Sequence, residues 1–157
     1  MKWVTRKNAK VDRVACPWLI RRFIDPKAEF LFVDADRVTQ VAAEEKAVPY
    51  DVPGVELTHV DGRCSFEAIL RKYKLDDQAL HLLGSVVHGA DVSADRGLVP
   101  EAAGLYAIAQ GFAIVHGDND EEKLRLELPL YDALYAWCQS EVNRNQKAVA
   151  ESGSLRQ

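Results

Sequence analysis

The chain has 157 residues, of which 48% are hydrophobic and 28% are charged, and its formal net charge is -4. This length predicts one domain that buries a core without disulfides. A mildly acidic chain lacks the positive surface of proteins that bind nucleic acid directly, so we expect no such binding. No apolar run is long enough to cross a bilayer, and the first residues lack the apolar segment of a signal peptide.

Cysteine usage indicates the cellular compartment. The chain has three cysteines, and they lie far apart in the sequence. An odd number of widely separated cysteines argues against a disulfide framework and is typical of a reducing environment. We therefore expect a cytoplasmic protein that does not associate with a membrane.

Segments typical of strands alternate with helical segments in the opening third of the chain. Strands are predicted at residues 2–6, 29–33 and 48–52. One helix is predicted to begin at Pro17, since proline suits a first helical position, and to stop at Asp25 and Pro26. A second helix is predicted over residues 36–46. The resulting β-α-β-α-β order favours a small sheet that is at least partly parallel.

From residue 65 onward, apolar residues recur at helical spacing. Helices are predicted at residues 65–73, 76–90 and 100–115, and a last one from Asn119 or Asp120 that Pro129 kinks or restarts and that continues over 131–146. The predicted fold class is α+β, mostly helical, with a small N-terminal three-stranded sheet and helices packed around it. We predict a single globular domain over residues 1–147 and a flexible tail over 148–157.

Imidazole and carboxylate groups gather in two short segments beside predicted helices. His59 and Glu67 belong to the first segment, and His88 and Asp91 to the second. Such groups are costly to bury unless they bind a metal, a charged ligand or each other. Because the apolar faces of the helices must meet in one core, we predict that the four side chains bind one metal ion. Mixed imidazole and carboxylate ligands suit a divalent transition metal, Zn, Mn, Fe or Ni, without distinguishing among them.

Each of these residues also has an ordinary structural interpretation. His88 could lie at a solvent edge, Asp91 could cap the following loop, and Glu67 could complement the dipole of its helix. Cys64 could be a thiolate ligand, or the N-terminus of the next helix could lower its pKa. It could equally be a small buried residue. The sequence leaves these alternatives open.

Arginines surround the helix predicted at Pro17. Arg13 precedes that helix, Arg21 lies within it, and Arg63 lies further along the chain. Guanidinium groups and the free N–H groups of a helix N-terminus favour a tetrahedral oxyanion. We therefore predict an anion site near Arg13, Arg21 or Arg63. The alternative is that Arg21 and Arg22 pair with acidic residues on a solvated face.

Four segments of the chain resemble the chromate-resistance proteins of the ChrB type. They are residues 11–25, 51–56, 64–67 and 87–91, and the similarity extends from about Trp3 to Cys138. The resemblance implies the C-terminal domain of that family. In longer members this domain follows an N-terminal segment thought to supply DNA binding, and the protein is a chromate-responsive regulator. The resemblance thus implies a domain that stands alone, without direct DNA contact.

Three functions are compatible with these features. The first is a metal-binding domain that responds to a tetrahedral oxyanion such as chromate and serves chromate resistance or its regulation. The second is a metal-dependent enzyme, a small redox catalyst or a hydrolase, with Asp61, Cys64 or Tyr131 as acid or base. The third is a helical interaction module whose polar residues form a satisfied hydrogen-bond network. Formation of a homo-oligomer is compatible with all three.

Overall fold

A computed structural model describes residues 1–156, and helices account for most of them. The strands are β1 (Lys2–Arg6), β2 (Glu29–Val33) and β3 (Val48–Pro49). The α-helices are α1 (Asp12–Phe23), α2 (Val38–Glu45), α3 (Ser65–Lys72), α4 (Gln78–Asp91), α5 (Pro100–His116) and α6 (Asp120–Ser154). Short 3-10 helices cover Ala35–Arg37 and Ser93–Asp95. The predicted α+β class, mostly helical with a small N-terminal sheet, is confirmed.

The three strands form one parallel sheet in the order β2-β1-β3. Successive side chains of a strand point to opposite faces of its sheet. Accordingly, Trp3 of β1 belongs to the main core, which includes α1, whereas Val4 packs with Val38 and Val41 of α2. The two helices therefore cover opposite faces of the sheet, and the middle of the central strand is buried on both sides.

Helix α1 begins at Asp12, so the predicted start at Pro17 is wrong and the proline lies inside the helix. A proline within a helix has no N–H to donate, and it leaves the carbonyl four residues earlier without its usual partner. Here that carbonyl belongs to Arg13, and the hydroxyl of Tyr50 donates to it at 3.4 Å. A side chain just beyond β3 thus supplies the contact that the proline cannot make.

Helix α1 joins the sheet to the helical part of the chain, since it contacts α3, α4 and α6. Its Trp18 packs against Tyr131 and Tyr135 of α6, and the indole N–H donates to Asp132 at 2.8 Å. Arg22 donates two hydrogen bonds to the same carboxylate, at 2.8 and 2.6 Å. Bidentate pairs of this kind fix geometry as well as adding energy. The orientation of α1 relative to α6 is therefore well determined.

The loop between β1 and α1 is held by residues at the start of α6. Asp120 accepts hydrogen bonds from the backbone N–H groups of Asn8 and Ala9, at 2.9 and 2.8 Å. The fully buried Lys123 donates to the carbonyls of Ala9 and Gly117, at 2.9 and 2.7 Å, and pairs with Asp120 at 2.9 Å. A buried ammonium group is tolerated only when it is paired and hydrogen-bonded, as here. These contacts fix the point at which α1 begins.

Helix α6 continues through Pro129 and ends at Ser154. The first part of the predicted tail over 148–157 is therefore helical and exposed, while its flexibility stays a prediction. Gln157 lies outside the described residues. None of the helices within residues 1–156 has both the length and the apolar character required to span a membrane.

Candidate metal centre

Four polar side chains meet at the carboxyl end of the parallel sheet. Asp12 is the first residue of α1, Asp51 follows β3, His59 lies in the loop between β3 and α3, and Asp91 is the last residue of α4. In the order β2-β1-β3, the chain places β2 on one side of β1 and then reverses direction across the sheet to place β3 on the other side. Such a reversal opens a crevice beyond the carboxyl ends of the strands, and open parallel sheets bind their ligands there. The topology therefore places these residues where a ligand site is expected.

Asp12 carries a carboxylate although only 1% of the residue is exposed. Its Oδ2 accepts a hydrogen bond from the backbone N–H of Ser65 at 2.6 Å, and its Oδ1 accepts one from that of Phe66 at 3.1 Å. Both N–H groups belong to the first turn of α3, where the helix dipole favours a negative charge. The thiol of Cys16 also donates to Oδ1, at 3.8 Å. Because a carboxylate has about four acceptor positions, one stays available for a further partner.

Asp51 is a second buried carboxylate, and its φ of 50° is rare for a residue other than glycine. Its Oδ1 accepts a 2.8 Å hydrogen bond from the hydroxyl of Ser65, and its Oδ2 lies 3.6 Å from Arg13 and 3.7 Å from Arg6. Burial alone would raise the pKa of Asp51. Hydrogen bonds from His59 and Ser65 and the charge of Arg13 outweigh burial, so the pKa is lowered.

A tight hairpin turn presents His59. Val60 and Arg63 exchange two backbone hydrogen bonds, of 3.1 and 3.0 Å, across Asp61 and Gly62. Asp61 and Gly62 both have positive φ, 53° and 73°. Two such residues in succession define a type I′ turn, for which Asp-Gly is a preferred pair. The turn holds His59 at the rim of the crevice, with its side chain 45% exposed.

The Nε2 atom of His59 lies among three carboxylates. It is 2.9 Å from Oδ2 of Asp91, 3.5 Å from Oδ2 of Asp12 and 3.5 Å from Oδ1 of Asp51. The neighbouring carboxylates of Asp12 and Asp51 raise the pKa of His59 to about 10. Burial, together with the negative charges of Asp12 and Asp51, raises the pKa of Asp91 to about 6. The negative charge of the cluster therefore favours a cation beside Nε2, whether a proton or a metal ion.

A second group of ligand-type side chains joins α3, α4 and the 3-10 helix that follows α4. The Nδ1 atom of His88 lies 2.8 Å from Oε2 of Glu67, and its Nε2 lies 2.6 Å from Oδ2 of Asp95. Glu67 also accepts a 2.9 Å hydrogen bond from the backbone N–H of Cys64. Burial would lower the pKa of His88, but the hydrogen bonds with Asp95 and Glu67 outweigh it and the pKa is raised. In this group, one imidazole bridges two carboxylates.

The four predicted metal ligands are divided between these two groups. His59 and Asp91 lie in the first group and Glu67 and His88 in the second. The ligand atoms of each group lie within 4.8 Å of one another, together with Asp12 in the first group and Cys64 in the second. Over residues 1–156, therefore, the side chains form two candidate centres where the sequence predicts one.

Sequence reasoning missed Asp12, Asp51 and Asp95 as site residues. Asp12 and Asp51 follow parallel strands, and the carboxyl ends of such strands are where ligand-binding side chains gather. The β-α-β-α-β pattern of the sequence places both residues after predicted strands. To infer that they meet, however, one must also know the order of the strands in the sheet, which local patterns do not give. Asp95 lies seven residues after His88, in a segment without helical periodicity, and no sequence signal identified it.

The three arginines of the predicted anion site lie at three different places. Arg13 is beside Asp51 in the first group. Arg21 is part of α1 and lies over the ring of Phe30, 5.0 Å from its centre. Arg63 lines a separate pocket on the surface. The cluster that the sequence suggests is thus distributed over the molecule, and Arg63 is the member that faces open space.

All three cysteines are buried and free. Burial, reinforced by the negative charge of Asp12, raises the pKa of Cys64. The alternative of a thiolate activated by the helix N-terminus is therefore wrong, because the loss of solvation outweighs the helix dipole. Burial raises the pKa of Cys138 as well, to about 11. In the protein without metal, the thiols behave as small buried groups.

The fold and these groups define a small α+β domain with a carboxylate–imidazole cluster at the carboxyl end of a parallel sheet. A family model described as the C-terminal domain of ChrB matches residues 3–138, and the chain belongs to this family. Protein ChrB of Cupriavidus metallidurans is 40% identical over 135 residues, which are 85% of this chain and 40% of that protein. The chain therefore spans well under half the length of that relative. No solved structure matches the chain.

Proposed function

We propose that the chain is a metal-binding domain that serves chromate resistance or its regulation. Its ion would be a divalent transition metal held by Asp12, Asp51, His59 and Asp91. One observation carries the proposal: three carboxylates, two of them buried, converge on a single imidazole nitrogen. Family membership supports the link to chromate.

The spacing of the ligand atoms supports this proposal. A transition metal binds oxygen and nitrogen ligands at about 2.0–2.2 Å, so ligand atoms around one ion lie roughly 3–4 Å apart. The three carboxylate oxygens lie 2.9 to 3.5 Å from Nε2 of His59. Small side-chain movements would therefore suffice to place one ion among them.

The charges of the cluster also favour a cation. Arg13 and Arg6 approach only Asp51, at 3.6 and 3.7 Å, which leaves Asp12 and Asp91 to be balanced by His59. A divalent ion in place of the imidazole proton would balance both carboxylates and leave His59 as a neutral ligand. The ligand set of three carboxylates and one imidazole suits Mn, Fe, Zn or Ni.

The competing explanation is a self-neutralised network in which protonated His59 is the only counter-ion of Asp12 and Asp91. Thermal melting distinguishes the two. Mn²⁺ or Zn²⁺ added to chelator-treated protein should raise the melting temperature by mass action. Asp91→Asn should abolish that rise, whereas Asp95→Asn, the same change in the second group, should preserve it. A melting temperature that no metal raises would support the network without an ion.

A metal-dependent enzyme is a second candidate, and one observation favours it. Because the His59 side chain is 45% exposed, an ion beside its Nε2 would reach solvent and could hold a water molecule or a substrate. Turnover of chromate, peroxide or superoxide by metal-loaded protein, lost in Asp91→Asn, would favour the enzyme. Metal binding without turnover would favour a regulatory or structural role.

The role in chromate resistance has its own test. Chromate-sensitive cells that produce the chain should grow at higher chromate concentrations than cells that produce Asp91→Asn at an equal level. Equal growth of both strains would mean that chromate resistance does not depend on the metal centre. Equal growth of both strains and of cells without the chain would remove the chromate role.

A further inference from the structure

A surface pocket with a volume of about 380 Å³ lies between α3 and α4, separate from the first group of ligands. Its size is within the range of small-molecule sites. Basic and apolar residues predominate in its lining. The basic residues come from the loop before α3, from the end of α3 and from the loop after it, and they are Arg63, Arg71 and Lys74.

These three basic side chains are free to bind a ligand. In the described part of the chain, neither a salt bridge nor a side-chain hydrogen bond engages Arg63, Arg71 or Lys74, although most other basic residues have such a partner. All three are exposed. Their positive charges therefore face the pocket and solvent without compensation.

The acidic residues of the pocket have partners of their own. Glu67 is held by His88 at 2.8 Å and by the backbone N–H of Cys64 at 2.9 Å. Asp76 lies 3.2 Å from Nε2 of His81. Three basic side chains against these two carboxylates leave the pocket with one positive charge in excess, which favours an anion.

The floor of the pocket is apolar. Leu70, Leu75 and Gly84 contribute to it. A Cβ atom at Gly84 would make ordinary van der Waals contacts with Leu70 and Phe66, at 3.4 and 3.6 Å, so α3 and α4 are close together beneath the basic rim. An inorganic oxyanion would use only the rim, whereas an anion with an apolar group would cover the floor as well.

We propose that this pocket binds a small phosphate monoester. Its dianionic phosphate would be held by Arg63, Arg71 and Lys74, and its apolar group would cover Leu70 and Leu75. Arginine is suited to this role because its planar guanidinium donates two parallel hydrogen bonds to phosphate. The inference goes beyond the proposed function, because none of these residues belongs to the cluster around His59.

Isothermal titration with phenyl phosphate at constant ionic strength tests the proposal. Phenyl phosphate should bind at least tenfold more tightly than inorganic phosphate, and Arg71→Ala should weaken its binding at least tenfold. Arg63→Ala should have an effect of the same sign. Arg37→Ala is the matched control, since Arg37 is an exposed arginine of a 3-10 helix outside the pocket, and it should leave binding unchanged.

Three results would overturn the proposal: no binding of phenyl phosphate, equal binding in wild type and Arg71→Ala, or equal affinities for phenyl phosphate and inorganic phosphate. The last result would assign the rim to a free oxyanion instead of an ester. The metal response of Asp91→Asn is measured separately, so failure at this pocket and failure of the metal centre are distinguishable.

Discussion

Asp12 has two structural tasks in a buried setting. Its carboxylate caps the first turn of α3 through Ser65 and Phe66, and it faces His59 across the crevice. Leaving a buried backbone N–H without its acceptor costs about 1–3 kcal/mol. The residue therefore links the stability of α3 to the electrostatics of the proposed metal centre.

The first prediction concerns this double role. Asp12→Asn keeps the shape of the side chain but loses its charge and one acceptor oxygen, so it should lower the free energy of unfolding by about 1–3 kcal/mol. It should also abolish metal binding. Urea denaturation measures the change in the free energy of unfolding. Asp36→Asn is the control, because Asp36 is exposed, and it should change that free energy by no more than about 0.5 kcal/mol. Unchanged stability in Asp12→Asn would contradict the capping role.

Glu127 of α6 gives a second prediction. The residue is 1% exposed, its Oε2 has no hydrogen-bond partner, and burial raises its pKa to about 8. The unfolded chain releases the proton near pH 4.5, whereas the folded chain keeps it up to about pH 8, so stability falls as the pH rises between these values.

Glu127→Gln removes this titration. Between pH 5 and pH 8, the free energy of unfolding of the wild type should fall by roughly 2–4 kcal/mol more than that of Glu127→Gln. Urea denaturation at each pH measures this difference. The exposed Glu121→Gln should keep the wild-type slope. Parallel pH profiles for wild type and Glu127→Gln would mean that Glu127 is ionised in the folded protein.

Among the elements, α3 and α4 are joined by the bridge of Glu67, His88 and Asp95. Because the pKa of His88 is raised, its charge stabilises the fold fully below about pH 6.5, and the stabilisation is lost as the pH rises through the folded value. The side chains of the bridge are 13% to 36% exposed, so solvent screening reduces the effect.

The third prediction follows from this bridge. His88→Gln, which keeps hydrogen-bonding groups but no charge, should be less stable than the wild type by about 1 kcal/mol at pH 6. The difference should shrink as the pH rises to 9. Thermal melting across this range measures it, and a difference that does not vary with pH would show that the bridge is uncharged.

For the molecule as a whole, local patterns predicted most elements well, although the strand predicted over 48–52 forms only at Val48–Pro49. The strands at residues 2–6 and 29–33 were predicted with their observed limits because β-favouring residues are concentrated in them. The predicted start of α1 is wrong because proline favours the first position of a helix, whereas Pro17 lies inside this one. The hydroxyl of Tyr50 compensates inside the helix, and that contact depends on tertiary structure.

The site was less predictable than the fold. His59 and Asp91 were identified from clustered polar residues, and they do meet, at 2.9 Å. Asp12 and Asp51 join them only because β1 lies between β2 and β3, and nothing in the local sequence specifies that order. Which imidazole pairs with which carboxylate is likewise determined by packing of α3 and α4 against α1, not by sequence spacing.

Metal stoichiometry measured by equilibrium dialysis and elemental analysis tests the central claim most directly. Wild-type protein should bind one divalent transition ion per chain, with Mn, Fe, Zn and Ni compared. His59→Ala should lose it, while His88→Ala, the same change in the second group, should keep it. Wild-type protein that binds none of these metals, or loss of the ion in His88→Ala but not in His59→Ala, would contradict the account.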